Sequence, residues 1–339
     1  MRVLEKYLFR VFSSTFFPIF LTLFIVTSII FLVKIASLTS VIQVNFTELI
    51  QLYSYSIPHI LFYILPISYF IGLSLSISKL SKEDELIVIT SFGLNPIKII
   101  KIFLPATIIL CIVLLIVSLG LRPKSDYLKE SFLNIKKQDA QFNIKASEYG
   151  QKIGSWLIYV DSKSKNTFNK ITLLQLEKDK DTIISSNFAH INNKNNIMSI
   201  NLKDGKSFSI SDSIKQINFD EMILSHTIPQ AQNIKSLNDI IMYWDDRKDN
   251  LNKSSNFSFR ILLSLFPLLS LFFIIVFGFF NPRYTSNKTT IYAAATTISF
   301  IILASKLSTK YPNDILYALP IFWFVLSYLM YHFTIKGRY

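Results

Sequence analysis

Six apolar runs leave this chain few ways to fold. They cover roughly residues 13–36, 53–78, 97–121, 259–281, 289–306 and 314–334. A helix needs about 20 such residues to cross a hydrocarbon core, and a backbone in hydrocarbon must satisfy its own N–H and C=O groups, so the runs predict six membrane-spanning helices. The fifth run is diluted by Thr289, Thr290, Thr296, Thr297 and Ser299. Such hydroxyls bond back to their own helix or to a neighbour. Pro18, Pro58, Pro66, Pro105 and Pro267 fall in or near the runs and predict bends. At 51% hydrophobic and 17% charged residues, the chain is more apolar than an ordinary soluble domain. The first run is too long for a signal-peptide core and lacks a small-residue cleavage pattern, so it reads as retained.

Between the third and fourth runs the period changes. Trp156–Val160, Ile171–Leu176, Ile183–Phe188, Ile197–Leu202 and Ser207–Ser211 are short strand-like runs, and several alternate apolar with polar. Asp204-Gly205 reads as a hairpin turn between the last two. Many short strands predict a sandwich or jelly roll. Asp126–Gln141 reads as a helix continuing from the third run, and Ser236–Trp244 as a short helix with a capping serine leading back to the membrane. The fold class is therefore a membrane α-helical protein of six transmembrane helices, three plus three, with an inserted all-β jellyroll-like domain. The divisions are 1–121, 122–258 and 259–339.

Charge fixes the expected orientation. Arg2, Lys6 and Arg10 precede the first run. Lys79, Lys82, Lys98 and Lys101 flank the loop between the second and third. Arg283 and Lys288 follow the fourth, and Lys336 and Arg338 follow the sixth. The opposite short loops carry only Lys34, Lys306 and Lys310. The positive-inside rule puts both termini in the cytoplasm and the insert on the outer side. Residues 122–256 hold 20 basic and 16 acidic side chains, a net +4, whereas the rest of the chain carries +9. The basic excess thus belongs to the membrane part, and the insert has no concentrated basic stripe of the kind nucleic acid requires.

Several chemistries find no support. No G-x-x-x-x-G-K-[ST] cradle for phosphates occurs. His59, His190, His226 and His332 are scattered without metal-ligand spacing, and Cys111 is the single cysteine. No serine nucleophile elbow is present. Asp245-Asp246 sits among Lys, Arg and Asn and reads as solvated surface. The expectation is a non-enzyme with no cofactor and no metal.

The loop Lys79–Asn95 is more informative. Ser81 is placed to cap a helix over about 80–94 whose first turn holds Glu83, Asp84 and Glu85, a favourable arrangement with the helix dipole. Leu86, Ile89 and Phe92 recur at helical spacing with Ile87 and Val88 beside them, and Gly93 with Pro96 closes the segment. Such a helix would show Leu86, Ile87, Ile89 and Phe92 to a partner or to lipid. On pattern alone, a docking helix and a merely solvated interfacial helix fit equally. Lys34, at the outer end of the first run, admits two readings: snorkelling to the interface, or a cation lining a cavity for an anionic head group. Lys306 and Lys310, at the outer end of the fifth run, read first as ordinary loop lysines.

The segment Ile64-Leu-Pro-Ile-Ser-Tyr-Phe-Ile-Gly-Leu73 followed by Lys79–Leu94 resembles the permease family of the lipopolysaccharide export ABC transporter. That family shows a Leu-Pro span and then a Ser-Glu-Leu/Ile-x-Val-Met-x-Ala-x-Gly coupling helix. The resemblance extends to the basic start with Glu5-Lys-Tyr-Leu8 and to the whole layout, and Asn281-Pro-Arg283 is closer to the F-type of the two paired permeases. It implies an inner-membrane subunit that extracts lipopolysaccharide. The implied partners are a cytoplasmic ATPase dimer, a homologous second permease and a periplasmic jellyroll bridge protein. It implies that Glu85, backed by Glu83, Asp84, Leu86, Ile89 and Gly93, meets the ATPase. It also implies that Lys34 faces the lipid phosphates, with Lys306 and Lys310 as further members of the ring. Two rivals are a permease for another lipid or lipoprotein and a non-transporting membrane sensor. In the other lipid exporters the outer domain commonly follows the first span, whereas here it follows the third.

Overall fold

The computed structural model describes residues 2–39, 44–92, 95–141, 151–153, 156–164, 167–176, 181–194, 197–210, 214–227, 237–248, 250–280 and 286–336. Contacts divide the chain into two compact units. One comprises 1–35, 50–128 and 232–339; the other comprises 36–49 and 129–231.

The first unit is helical. Its spans are α1 (Arg2–Thr39), α2 (Phe46–Lys82), α4 (Pro96–Ile116), the pair α7 (Leu251–Leu269) and α8 (Leu271–Gly278), α9 (Thr289–Lys310) and α10 (Ile315–Tyr331). A short helix, α3 (Glu85–Ser91), lies between α2 and α4. Five helices are long and apolar enough to span alone, and α7 with α8 makes a sixth, bent by 46°. The ends follow local chemistry. Asn95 caps α4 by accepting from the Ile97 N–H at 3.0 Å, with Pro96 at the first helical position, where its missing N–H costs nothing. Asn250 caps α7 in the same way through the Asn252 and Lys253 amides.

Packing is aromatic and close. Phe12 meets Tyr69 and Phe103 edge-on, and Phe266 joins Phe70 to Phe300. Gly72 permits α1 and α2 to touch: a Cβ there would lie 3.1 Å from the Phe16 Cα. The hydroxyls of the diluted fifth span bond as expected. Thr296 and Thr297 donate to carbonyls one turn back in α9, and Thr289 donates to the Phe277 carbonyl of α8 at 2.7 Å.

Four prolines lie inside continuous helices. Helices α1, α2 and α4 run unbroken through Pro18, Pro58, Pro66 and Pro105. The fourth span does break, at Ser270, three residues beyond Pro267. A second irregularity ends the third span. Residues Val117–Leu121 form a π-helical turn, and the helix then continues as α5 (Arg122–Gln141). Pro123 is the physical reason for its outside contacts. It has no N–H to give, and the return from π to α spacing skips one further carbonyl, so those of Ser118 and Leu119 take other donors.

The second unit is a six-stranded antiparallel sheet in meander order: β1 (Gln151–Ile153), β2 (Trp156–Ser164), β3 (Thr167–Gln175), β4 (Asp181–Lys194), β5 (Ile197–Ile210) and β6 (Ile214–Thr227). One face buries Ile158, Val160, Phe168, Ile171, Leu173, Ile184, Ala189, Ile200 and Leu202. The inserted all-β region agrees with the sequence expectation, and among the described residues every strand pairs with its sequence neighbour.

Asp204-Gly205 is not the expected hairpin turn. It lies inside β5, which pairs with β4 and β6 on either side, so a reversal there would tear two ladders. It belongs to a crease that crosses five strands. Asp161, Lys170, Asn187, Asp204 and Asp220 stand opposite one another, and each falls in a gap of the pairing. Lys170 and Asp204 have left-handed backbone, φ 50° and 54°. The inward parity slips by one there: Phe168 and Ile171 both face the core, as do Ser186 and Ala189. Gly205 gives the room. A Cβ on it would come within 2.4 Å of the Phe219 ring and 2.5 Å of the Ser185 carbonyl. Ser186 Oγ lies 2.6 Å from the Lys203 carbonyl, and Asn187 donates to Asp204 at 2.6 Å.

The expected short helix after the sheet is α6 (Leu237–Asp245); Ser236 lies outside the described residues. The Asp245-Asp246 pair is at its end, and Asp246 pairs with Lys253 at 2.9 Å.

Candidate functional site

Helix α3 is the expected loop helix, but it is held differently from the sequence reading. Ser81 does not cap it. Helix α2 runs on through Lys82, so Ser81 lies in its last turn, fully buried, and donates to the Gly278 carbonyl at 2.6 Å. The capping position falls to Asp84, which is left-handed at φ 58° and makes no side-chain cap. Aspartate tolerates that backbone better than most residues. The turn is closed by Glu83 N–H to the Lys79 carbonyl at 3.0 Å and Asp84 N–H to the Ser81 carbonyl at 3.3 Å.

Two turns of helix then present different faces. Leu86, expected to face outward, is 1% exposed and packs in the bundle core, where it anchors α3. Val88 and Phe92 are 54% and 82% exposed, with Ile87 beside them, and Ile89 is half-buried. Glu83 and Asp84 are exposed. Glu85, the first residue of α3, is half-buried and accepts a hydrogen bond from the Tyr7 hydroxyl of α1. Sequence pattern missed Tyr7, whose place beside Glu85 depends on how α1 packs against the loop. Gly93 and Asn281-Pro-Arg283 lie outside the described residues.

The three expected head-group lysines are exposed. Lys34 on α1 sits with its ammonium 5.4 Å from the Phe31 ring centre. Lys306 and Lys310 are one turn apart on α9, and Lys310 lies 5.2 Å from the Tyr311 ring.

A buried basic cluster at the far end of the third span was not foreseen. Arg122 is 6% exposed, stacks on Phe62 at 4.7 Å and reaches His59 Nδ1 at 2.8 Å. Arg260 is equally buried. It donates to the Ser118 carbonyl at 3.0 Å, lies 3.5 Å from Asp126 and stacks on Trp244. Trp244 in turn donates its indole N–H to the Leu119 carbonyl at 2.9 Å. The Ser118 and Leu119 carbonyls of the π turn are thus served by Arg260 and Trp244. The usable signal was Leu121-Arg-Pro123, a cation and a helix disruptor at the end of an apolar run.

Among the described residues, no group of three or more His, Cys, Asp or Glu is placed to hold a metal. The sequence matches the family described as lipopolysaccharide export system permease LptF/LptG over residues 6–331. A search of curated proteins gave no match.

Proposed function

Because the chain belongs to the LptF/LptG family of lipopolysaccharide export permeases, we propose that it is the transport subunit that draws lipopolysaccharide from the inner membrane, with α3 as its joint to a cytoplasmic ATPase dimer. The observation that carries the joint is the exposed ridge of Ile87, Val88 and Phe92 beside Glu85, on a helix pinned to the bundle by Leu86. Fully burying apolar side chains of this size contributes about 1.5–3 kcal/mol each. The half-buried Glu85 carboxylate supplies a directional contact for a cationic or N–H-lined groove. A chain without a phosphate cradle receives work from ATP through contact, which a short, firmly seated helix transmits.

In this reading both termini and α3 face the cytoplasm, and the β unit lies in the periplasm. The divisions are then 1–121 with the coupling helix, 122–258 and 259–339. A second permease of the same layout completes a cavity open to the outer leaflet. Lys34, and with it Lys306 and Lys310, meets head-group phosphates there, while apolar side chains meet acyl chains. The β unit hands the lipid to a periplasmic bridge protein with a similar sheet. The resemblance of Asn281-Pro-Arg283 to the F-type of the two paired permeases supports reading the chain as that subunit.

Affinity copurification tests the joint. Glu85→Ala and Phe92→Ala should each reduce the ATPase recovered with the permease. Unchanged recovery and unchanged lipopolysaccharide release would remove α3 from that role. For the lipid, Lys34→Glu should lower photo-crosslinking to lipopolysaccharide, and an unaltered yield would return Lys34 to the membrane interface.

A further inference from the structure

Helix α8 is a two-turn half-span held at both ends by other spans. Its start is the break at Ser270, where φ is −97° and ψ is 6°. Two side chains of α10 occupy that break. The Trp323 indole N–H donates to the Ser270 hydroxyl at 3.0 Å, and the Ser327 hydroxyl donates to the Leu269 carbonyl at 3.1 Å. Its end is equally fixed. Thr289 of α9 takes the Phe277 carbonyl, and Ser81 of α2 takes the Gly278 carbonyl. Gly278 lets α2 come this close, since a Cβ there would lie 2.7 Å from Ile77 and 3.1 Å from the Ser74 carbonyl.

Ser81 is four residues before Glu85, and the intervening turn is closed by two backbone hydrogen bonds. The last turn of α2, from which the connection to α3 leaves, therefore holds the residue gripping the end of α8. Ser81 and Gly278 are both buried, so breaking their hydrogen bond leaves groups that bulk water does not reach. The two ends of α8 differ in kind: one sits at a backbone break, which can change angle, and the other on a bond to a continuous helix.

We propose that Ser81 is a positioning residue that carries displacement of α3 into α8, which swings about Ser270 while Trp323 and Ser327 hold the break. This rests on the reading of α3 as the ATPase joint and adds the route by which that joint moves the fourth span. Ser81 touches neither ATPase nor lipid. It acts through the Gly278 carbonyl.

The test uses the full permease pair with its ATPase, reconstituted in lipid bilayers containing lipopolysaccharide. Three quantities are measured: ATPase recovered on copurification, ATP hydrolysed, and lipopolysaccharide released per ATP. Ser81→Ala should keep the first two and lower the third by roughly fivefold or more, the scale set by losing one buried bond. Ser81→Thr, which keeps the γ-hydroxyl, should restore it. Wild-type release per ATP in Ser81→Ala overturns the proposal. Loss of ATPase recovery in Ser81→Ala also overturns it, since Ser81 would then shape the dock. If Ser81→Ala does not accumulate in the membrane, hydrogen exchange of the wild-type complex decides. Nucleotide should alter exchange over 270–278 together with that over 83–92, and a response confined to 83–92 overturns the proposal. Failure of the docking reading is separate, because it shows as unchanged ATPase recovery in Glu85→Ala.

Discussion

The helical unit and the sheet both depart from regular geometry, and they repair the departure in opposite ways. In the bundle each break is served by single side chains from distant sequence. Trp244 reaches Leu119 across 125 residues, Arg260 reaches Ser118 across 142, and Trp323 reaches Ser270 across 53. In the sheet the crease is shared by five strands, and its bonds run between adjacent strands, Asn187 to Asp204 and Ser186 to Lys203. The difference follows from solvent. A carbonyl stranded in hydrocarbon finds no water, so one donor must be placed for it. An exposed crease can borrow water and spread its cost. Irregularity in the bundle is therefore concentrated in a few residues, and in the sheet it is diluted.

The contrast breaks if the bundle joints prove soft. Trp323→Phe combined with Ser327→Ala keeps the aromatic packing but strips both partners from the break at Ser270. Each orphaned buried group costs about 1–3 kcal/mol, so this pair should give the largest fall in thermal stability of the protein in nanodiscs. A fall no greater than that of an exposed substitution would show that the break is served by other means. Trp244→Phe, which strands the Leu119 carbonyl alone, should cost about 1–3 kcal/mol and raise hydrogen exchange over 117–121.

The sheet has one position where the cost is local and steric. Gly205→Ala drives a Cβ against a backbone oxygen and the Phe219 ring, and such overpacking costs about 1–3 kcal/mol. It should appear as faster exchange in β4, β5 and β6. Elsewhere in the crease effects should be small and of either sign. Lys170→Gly relieves a left-handed backbone worth about 1–2 kcal/mol. Glycine's looser unfolded chain offsets roughly 0.5–1 kcal/mol of that, so the melting temperature should rise slightly. Asn187→Ala removes an exposed bond, and a loss above about 1 kcal/mol would contradict the diluted picture.

The spans were legible because hydrocarbon imposes length and apolarity directly on sequence. Each of the six apolar runs falls on helix over most of its described residues, and the helix after the third and the return helix α6 lie where the pattern put them. The break at Ser270 was not legible. Pro267 pointed to the neighbourhood, but the partners that stabilise the break sit on α10. Asp204-Gly205 misled because the same pair suits a hairpin turn and a crease, and only pairing on both sides separates them. Period 2 reads cleanly over Ile158 and Val160 but slips at Lys170, Asn187 and Asp204, which shortened the strands seen in sequence. At α3 the apolar spacing located the helix but not its inward side, so Leu86 and Ser81 were placed facing the wrong neighbours. Tyr7 lies 78 residues from Glu85 and gave no local signal.

The π turn before Pro123 also sets an order of events during synthesis. The carbonyls of Ser118 and Leu119 leave the ribosome long before Arg260 and Trp244 do. At about 5–20 residues per second, Arg260 follows Ser118 by roughly 7 to 30 seconds. For that interval the end of the third span is unfinished, and the sheet is made within it. A nascent chain stopped before Trp244 would therefore hold the π turn with neither of its two distant donors made.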